Sequence, residues 1–356
     1  MSSSRQGLLA AGNFIVDHVK IIDYYPGEEM LASILRENSA NGGGPYNILK
    51  DLAKMGASFP LAAAGLIGSD TTGRWILEDC ATHHIDTGRL RQTDAVSTSY
   101  TDAFTVESTG RRTFFHQRGA NALLAPEHFD FTGVTARLFY LGYFMLLDTL
   151  DAIGPDGRSG ASHVLEKASA AGLITVADMV SVEHADFARS AFSALPHVDH
   201  FILNEIEAGK LAGSGLRSAG GPDWIAIEAA ARTLLGRGVR HSVTIHFVEG
   251  AVCVDSTGAA YRQGSVQLPA GYVQGATGAG DAFAAGLLMG IHNALSWPES
   301  LRLAVCAAAI CLSHPATSEG MRPAVKCLAL GETYGFRPPG GVTSRSEAET
   351  GEAKSE

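Results

Sequence analysis

The sequence predicts a three-layer α/β/α fold: a central, mostly parallel sheet with helices on both faces, joined to a small β-sheet lid. Three observations carry this reading. Short apolar strand-like runs alternate with helical stretches over most of the 356 residues, the pattern of βαβ units. Hydrophobic residues make up 46% of the chain and charged residues 18%, enough apolar material for one large core. Between Ser97 and Gln117 the rhythm breaks: two strand-like runs are joined by Glu107-Ser-Thr-Gly110, which reads as a hairpin.

Taken in order, Leu8–Val16 reads as a strand, and Val16–Ile22 continues as an extended, polar-alternating run. Pro45–Met55 is a helix with Pro in its first turn and Gly56 as its stop. Phe59–Ala64 is a buried strand, and Thr71–His84 a helix capped by Asp70 or Thr71. Ser97–Val106 and Arg112–Gln117 form the hairpin. Further strands are expected at Arg137–Gly142, Leu173–Asp178, His200–Leu203 and Ser242–Phe247. Helices are expected at Gly160–Ala171, His184–Ala194, Glu205–Ala212 and Pro222–Gly236. The folded domain therefore runs from about 8 to 335, with the lid, expected to be antiparallel, drawn from about 14–40 and 96–118. The stretch 338–356 is Pro, Gly, Ser, Thr and charge without apolar periodicity, and is expected to be a disordered tail.

Composition narrows the function. There are 27 basic and 37 acidic residues, a net charge of −10, and the pI is near 5.7. Such a surface repels nucleic-acid backbones and anionic lipid, so neither is an expected partner. The start lacks the apolar core and cleavage site of a signal peptide, and no run of about 20 apolar residues exists to span a bilayer. Five cysteines without a C-x-x-C pair read as reduced thiols in a cytoplasmic protein.

The segment that carries chemistry is Gly275-Ala-Thr-Gly-Ala-Gly-Asp-Ala-Phe-Ala-Ala-Gly-Leu-Leu288. A glycine-rich loop opens directly into an apolar helix running to about Asn293. Unpaired N–H groups at a helix start form an anion site, reinforced by the helix dipole. Asp281, in the first turn, is either a helix cap or a general base beside a held phosphoryl group. This string resembles the C-terminal signature of the PfkB (ribokinase-like) carbohydrate kinases. Counterparts of other family motifs follow in order: Gly12-Asn13 with Asp17, Asn41-Gly-Gly-Gly-Pro-Tyr-Asn47, Gly65-Leu-Ile-Gly68-Ser-Asp70, Gly119-Ala-Asn121 and Asn204-Glu205-Ile206-Glu207. The resemblance covers roughly residues 8–330.

The resemblance implies a ribokinase-like fold and an ATP-dependent sugar kinase that phosphorylates a hydroxymethyl group of a non-phosphorylated sugar or derivative. It makes Asp281 the base, and Gly278, Ala279 and Gly280, with the amides through Asp281, the anion hole. Asn204 and Glu207 would organise Mg²⁺ and phosphate, largely through water, although the same pair has the spacing of a capping box. Thr244 and Thr277 fall on the nucleotide side. Asp17, Gly43 and Asn47 would grip acceptor hydroxyls, and Arg118 would reach the acceptor from the lid. A homodimer pairing through the lid is expected, because a small sheet leaves edges and an apolar face to cover.

The sequence also departs from the family. Gly275 and Ala276 stand where it usually has Asp-Thr, so the carboxylate that helps hold a monovalent cation is missing. Mg²⁺ dependence without potassium activation is the expectation. Thr244-Ile-His246 puts an imidazole where a glycine usually lets the nucleotide approach. Two other readings stay open: a nucleoside kinase of the same fold, and a catalytically weak sugar- or nucleotide-binding protein.

Overall fold

The computed structural model describes residues 5–340; most of the predicted tail, residues 341–356, lies outside the described residues. In chain order the strands are β1 (Leu8–Gly12), β2 (Ile15–Ile22), β3 (Ile34–Gly42), β4 (Leu61–Gly68), β5 (Asp86–Thr93), β6 (Tyr100–Val106), β7 (Arg112–Gln117) and β8 (Leu138–Phe144). They continue as β9 (Ile174–Met179), β10 (His200–Asn204), the two-residue β11 (Arg217–Ser218) and β12 (Gly221–Pro222), β13 (Ser242–Phe247), β14 (Gly250–Asp255) and β15 (Ala260–Gly264). The main sheet has nine strands in the order β15-β14-β13-β10-β9-β8-β1-β4-β5. Every pairing from β13 to β5 is parallel; β14 and β15 close one edge as an antiparallel hairpin. Two apolar layers cover its faces, one around the helices Gly44–Met55, Ala279–His292 and Trp297–Cys311, the other around Gly160–Ala170, Phe187–Ala194 and Trp224–Gly236. Among the described residues no helix is long and apolar enough to cross a membrane.

The lid is a separate four-stranded sheet, β3-β2-β6-β7. Its β6–β7 hairpin matches the expected one, Tyr100 facing Gln117 and Thr105 facing Arg112. The expected all-antiparallel arrangement is corrected at the centre, where β2 and β6 run parallel. They come from distant parts of the chain and both leave the main sheet in the same direction.

The predicted single strand Leu8–Val16 is in fact two. Gly12 takes φ +123, and a Cβ there would stand 1.8 Å from the Gly142 oxygen. Only glycine allows that approach, which ends β1 against β8. The chain then turns through Asn13 and Phe14 into the lid, held by the Asn121 side chain, which accepts from the Phe14 N–H (3.4 Å) and donates to the Phe14 carbonyl (3.3 Å). Asp17 therefore belongs to the lid rather than the first core strand. The predicted helix Pro45–Met55 starts one residue earlier and stops at Gly56 in the left-handed region. Asp70 is the cap of Thr71–Thr82, accepting from the Gly73 N–H at 2.7 Å. Strands β3 and β5, the β14–β15 hairpin and the helices Trp297–Cys311 and Ala324–Tyr334 were not anticipated.

Candidate active site

The carboxyl ends of the parallel strands, the lid and the helix Ala279–His292 meet around Asp281. That helix is capped by Gly278 at φ +81 with no side-chain cap, and a Cβ at 278 would press within 2.9 Å of the Thr317 carbonyl. The Ala279 N–H makes a long turn bond to Ala276 at 3.4 Å and Ala282 N–H closes the first helical bond to Gly278. Among the described residues the N–H groups of Gly280 and Asp281 have no backbone acceptor, as the helix geometry requires. Gly280 lies against the His246 ring, which a Cβ would approach to 3.3 Å.

Asp281 is not a cap. Its carboxylate turns away from the helix and accepts from Asn47 Nδ2 at 2.8 Å and from Tyr143 Oη at 2.5 Å. It is 5% exposed, and burial raises its pKa from 3.8 to about 6 against the lowering effect of those two hydrogen bonds. Asn47 is fixed in turn: Asn41 Nδ2 donates to its oxygen at 2.7 Å and to Ser318 Oγ at 2.9 Å. The Thr317 hydroxyl donates to the Asn41 carbonyl at 2.6 Å. A buried polar chain thus runs from the 317–318 loop to the carboxylate.

Asp17 stands over this cluster from the lid. Burial raises its pKa to about 7, a Thr101 hydrogen bond lowers it, and the charge of Asp281 raises it further. A Cβ on Gly42 would lie 2.6 Å from its carboxylate atoms, so the glycine run passes directly beneath. Gly43, at φ +86, leaves a Cβ only 2.2 Å from the Asn13 oxygen; here glycine is obligatory. Asn13 orients the next turn, accepting from the Tyr143 N–H at 2.5 Å and donating to the Leu146 carbonyl at 3.1 Å.

Asn204 pairs across the sheet with His246, the residue that meets Gly280, and Glu207 follows Asn204 in the next turn. They form a full capping box: Asn204 Oδ1 accepts from the Ile206 and Glu207 N–H groups, and Glu207 accepts from the Asn204 N–H at 2.9 Å. Asn204 Nδ2 and the Ser181 hydroxyl also donate to Glu207, at 2.6 and 2.9 Å. Glu207 is nonetheless buried, with its pKa raised to about 7 chiefly by burial. The neighbouring Asp178 is buried as well; burial and the charge of Glu207 push its pKa well up. Among the described residues these two buried carboxyls have no basic partner and no third His, Cys, Asp or Glu grouped with them; as hard oxygens they suit a divalent cation held largely through water.

Two expected site residues stand elsewhere. Thr244 is 1% exposed inside the main sheet, between Ile202 and Cys253. The residue of β13 that reaches the loop is His246, which packs on Phe283 at 4.9 Å and which burial keeps neutral, its pKa lowered to about 4. Arg118 turns to Asp148 and to the Met145 carbonyl, tying the hairpin exit to the loop after β8. Thr277 is in place, its hydroxyl meeting the Arg112 guanidinium. Tyr143 and Arg112 were missed, and Asp178 was read as a strand end without a role. Only Asp178, at the end of a predicted strand, carried a visible signal.

Comparison with known proteins bears on the fold and the family. Residues 11–324 match the pfkB family carbohydrate kinase. The ribokinase of Arabidopsis thaliana, solved with ribose and ATP, superposes with TM-score 0.75 at 22% identity, covering 92% of this chain and 98% of that one. The ribokinase of Thermotoga maritima gives 0.74 at 18% identity, with 92% and 99% covered. A nucleoside kinase of Methanocaldococcus jannaschii gives 0.71 at 14% identity, with 93% and 100% covered. At these identities the superpositions establish the fold, and the match over residues 11–324 establishes the family: the chain belongs to the pfkB family of carbohydrate kinases.

Proposed function

We propose that this kinase uses ATP to phosphorylate a hydroxymethyl group of a non-phosphorylated sugar or sugar derivative, with Asp281 as general base. The observation that carries the reading is the position of the Asp281 carboxylate. It is buried, its proton affinity is tuned near neutrality, and it sits between the unbonded amides of Gly280 and Asp281 and the Asp17–Asn47 cluster. Such a base takes the proton of an attacking hydroxyl at physiological pH. The acceptor oxygen bonds to the terminal phosphorus, the bridging P–O bond to ADP breaks, and the proton passes to Asp281. The amides of Ala279, Gly280 and Asp281 face the charge that gathers on the phosphoryl oxygens. Asp17, the Gly43 turn and Asn47 hold the acceptor's hydroxyls. Glu207, backed by Asp178 and oriented by Asn204, would hold Mg²⁺ through water, which supplies charge neutralisation of the polyphosphate.

One observation favours the nucleoside reading as second choice. The gap between lid and core is lined by Val19, Ala40, Ala103, Phe114, Pro315 and Ala316 beside the polar Asp17, Thr105, Arg112, Thr277 and Thr317, and its apolar side would face a base or an apolar substituent once the lid moves to admit an acceptor. A panel of pentoses, hexoses, sugar acids and nucleosides, read by ADP release, separates the two. No release above the protein-free rate with any acceptor, while ATP still binds in a titration, would favour a binding protein over an enzyme. The reading also carries a homodimer joined through the lid. All five cysteines are buried and unpaired, which supports a reducing, cytoplasmic setting.

A further inference from the structure

Asp51 is a buried acid that the reaction as described does not use. It lies on the helix Gly44–Met55, one turn beyond Asn47 and so on the same face, and it is 0% exposed. Neither of its side-chain oxygens has a hydrogen-bond partner among the described residues. The two lysines near it in sequence are engaged elsewhere. Lys50 Nζ turns to Asp79 at 3.2 Å and Glu319 at 3.5 Å, and Lys54 Nζ to Glu319 at 3.0 Å and the Ser318 carbonyl at 2.9 Å. The polar group that acts on Asp51 is the Ser318 hydroxyl, the same oxygen that accepts from Asn41 Nδ2. Asp51 therefore stands at the far end of the polar chain that reaches Asp281 through Asn41 and Asn47.

Hydrogen-bond balance at that end requires a proton on Asp51. The Asn41 amide nitrogen donates to both Asn47 and Ser318, and its own Oδ1 is buried without a partner. An ionised Asp51 would add only acceptors to a region already short of donors, whereas a protonated one supplies a donor. Burial pushes its pKa well above the ordinary range and the charge of Asp281 adds to the rise, against the lowering effect of Ser318, Lys54 and Lys50. The other titratable groups close to it, Cys311 and Cys327 from the helices Trp297–Cys311 and Ala324–Tyr334, are thiols whose pKa burial raises, so they bring no charge. We propose that Asp51 is a positioning residue for the Asp281 base, an uncharged carboxylic acid whose proton completes the Ser318 end of the chain and so holds Asn47 on the catalytic carboxylate. The inference rests on the kinase reading and gives Asp51 no contact with substrate.

The test compares Asp51→Asn, Asp51→Ala and Ser318→Ala with wild type in the full chain, by the pH profile of kcat/KM, titration of Mg-ATP and thermal unfolding between pH 4 and 8. The Asn47 hydrogen bond lowers the Asp281 pKa, so loosening Asn47 should move the acid limb to higher pH. We expect that movement in Asp51→Ala and Ser318→Ala, with kcat down roughly three- to tenfold and ATP affinity within about threefold. Asp51→Asn keeps the shape and a donor, and should recover most of the turnover with the limb where wild type has it. That variant should also unfold at a higher temperature than wild type at pH 8, with the advantage shrinking toward pH 4, because an acid whose folded pKa is raised costs stability as pH climbs above its unfolded value. A limb shifted to lower pH in Asp51→Asn would mean that a charge had been removed from beside Asp281, and overturns the proposal. So does a lower unfolding temperature of that variant at pH 8. An unmoved limb in Asp51→Ala makes Asp51 packing alone and overturns it too; if that variant does not fold, an unmoved limb in Ser318→Ala has the same force. A wild-type chain that turns over no acceptor fails at the kinase reading itself, while the unfolding temperatures of Asp51→Asn still decide whether Asp51 holds its proton.

Discussion

Asp281 carries the clearest residue-scale consequence, because the same burial that makes it a base makes it a burden on the fold. Its folded pKa of about 6 lies above the ordinary 3.8, so the native state binds that proton more tightly than the unfolded chain. Stability is therefore lost as pH rises from about 4 to about 6, and the full penalty is present at pH 8. Asp281→Asn removes the charge and keeps the shape. We expect kcat to fall 10²–10⁴-fold, about 3–5 kcal/mol of barrier, while the variant unfolds at a higher temperature than wild type at pH 8 and the advantage shrinks toward pH 4. The rise from 3.8 to about 6 sets an upper bound of about 3 kcal/mol on that gain. Loss of stability at pH 8, or kcat above about a tenth of wild type, would refute the base. Tyr143→Phe removes a hydrogen bond that lowers the Asp281 pKa, so the acid limb of kcat/KM should move to higher pH; an unmoved limb would make Tyr143 packing alone.

At the scale of elements, glycines decide which segments can touch. Gly43→Ala would force a side chain into the Asn13 carbonyl at a left-handed φ. A loss of about 1–3 kcal/mol is expected in thermal or denaturant unfolding, together with weakened acceptor binding. Gly275 is different: its backbone is ordinary, but a Cβ there would stand 2.7 Å from Pro315 Cα and 2.9 Å from Arg112 Nη2. An aspartate cannot be restored by simple substitution, because the 315–318 loop and the lid arginine already fill its place. We expect wild-type turnover to change less than about threefold, or ~0.6 kcal/mol, between potassium and a bulky organic cation. Gly275→Asp should destabilise the chain rather than install potassium dependence. Strong potassium activation of the unmodified chain would mean backbone carbonyls make a cation site unaided. These glycines were legible as motifs, and so were the βα units around them, because strand and helix periods are local signals. The 315–318 loop was not, since its role depends on Thr317 meeting Asn41 and Gly278 across the fold. The helix before it had a readable start in Ser296-Trp-Pro-Glu299, a capping box the structure forms, but its uniformly apolar body hides the period.

At the scale of the whole molecule, the lid was legible as a hairpin that breaks an α/β rhythm, but its make-up was not. The parallel β2–β6 pairing joins segments about 80 residues apart (Val16 with Tyr100), and no local pattern encodes such a contact. Arg112 was hidden for the same reason: in sequence it is the second of two adjacent arginines where the hairpin turn gives way to the strand. What the lid leaves uncovered bears on assembly. Its outer strands β3 and β7 are edges, and the segments that build it expose Tyr24, Tyr25, Met30, Leu31, Ile34, Leu35, Phe114 and Phe115, with Leu31 at 82%. A run of large apolar side chains beside two open edges is what a soluble monomer avoids. A second copy of the same sheet offers matching edges and apolar surface, and a two-fold arrangement covers both lids at once. We therefore expect light scattering at micromolar concentration to give about twice 37.3 kDa. The double variant Leu31→Glu, Phe115→Glu should run as a monomer with a weaker acceptor KM, because an unpaired lid holds Asp17 less firmly over Asp281. A wild-type chain of 37.3 kDa, or a variant still dimeric, would place the contact elsewhere and leave the lid to close on its own.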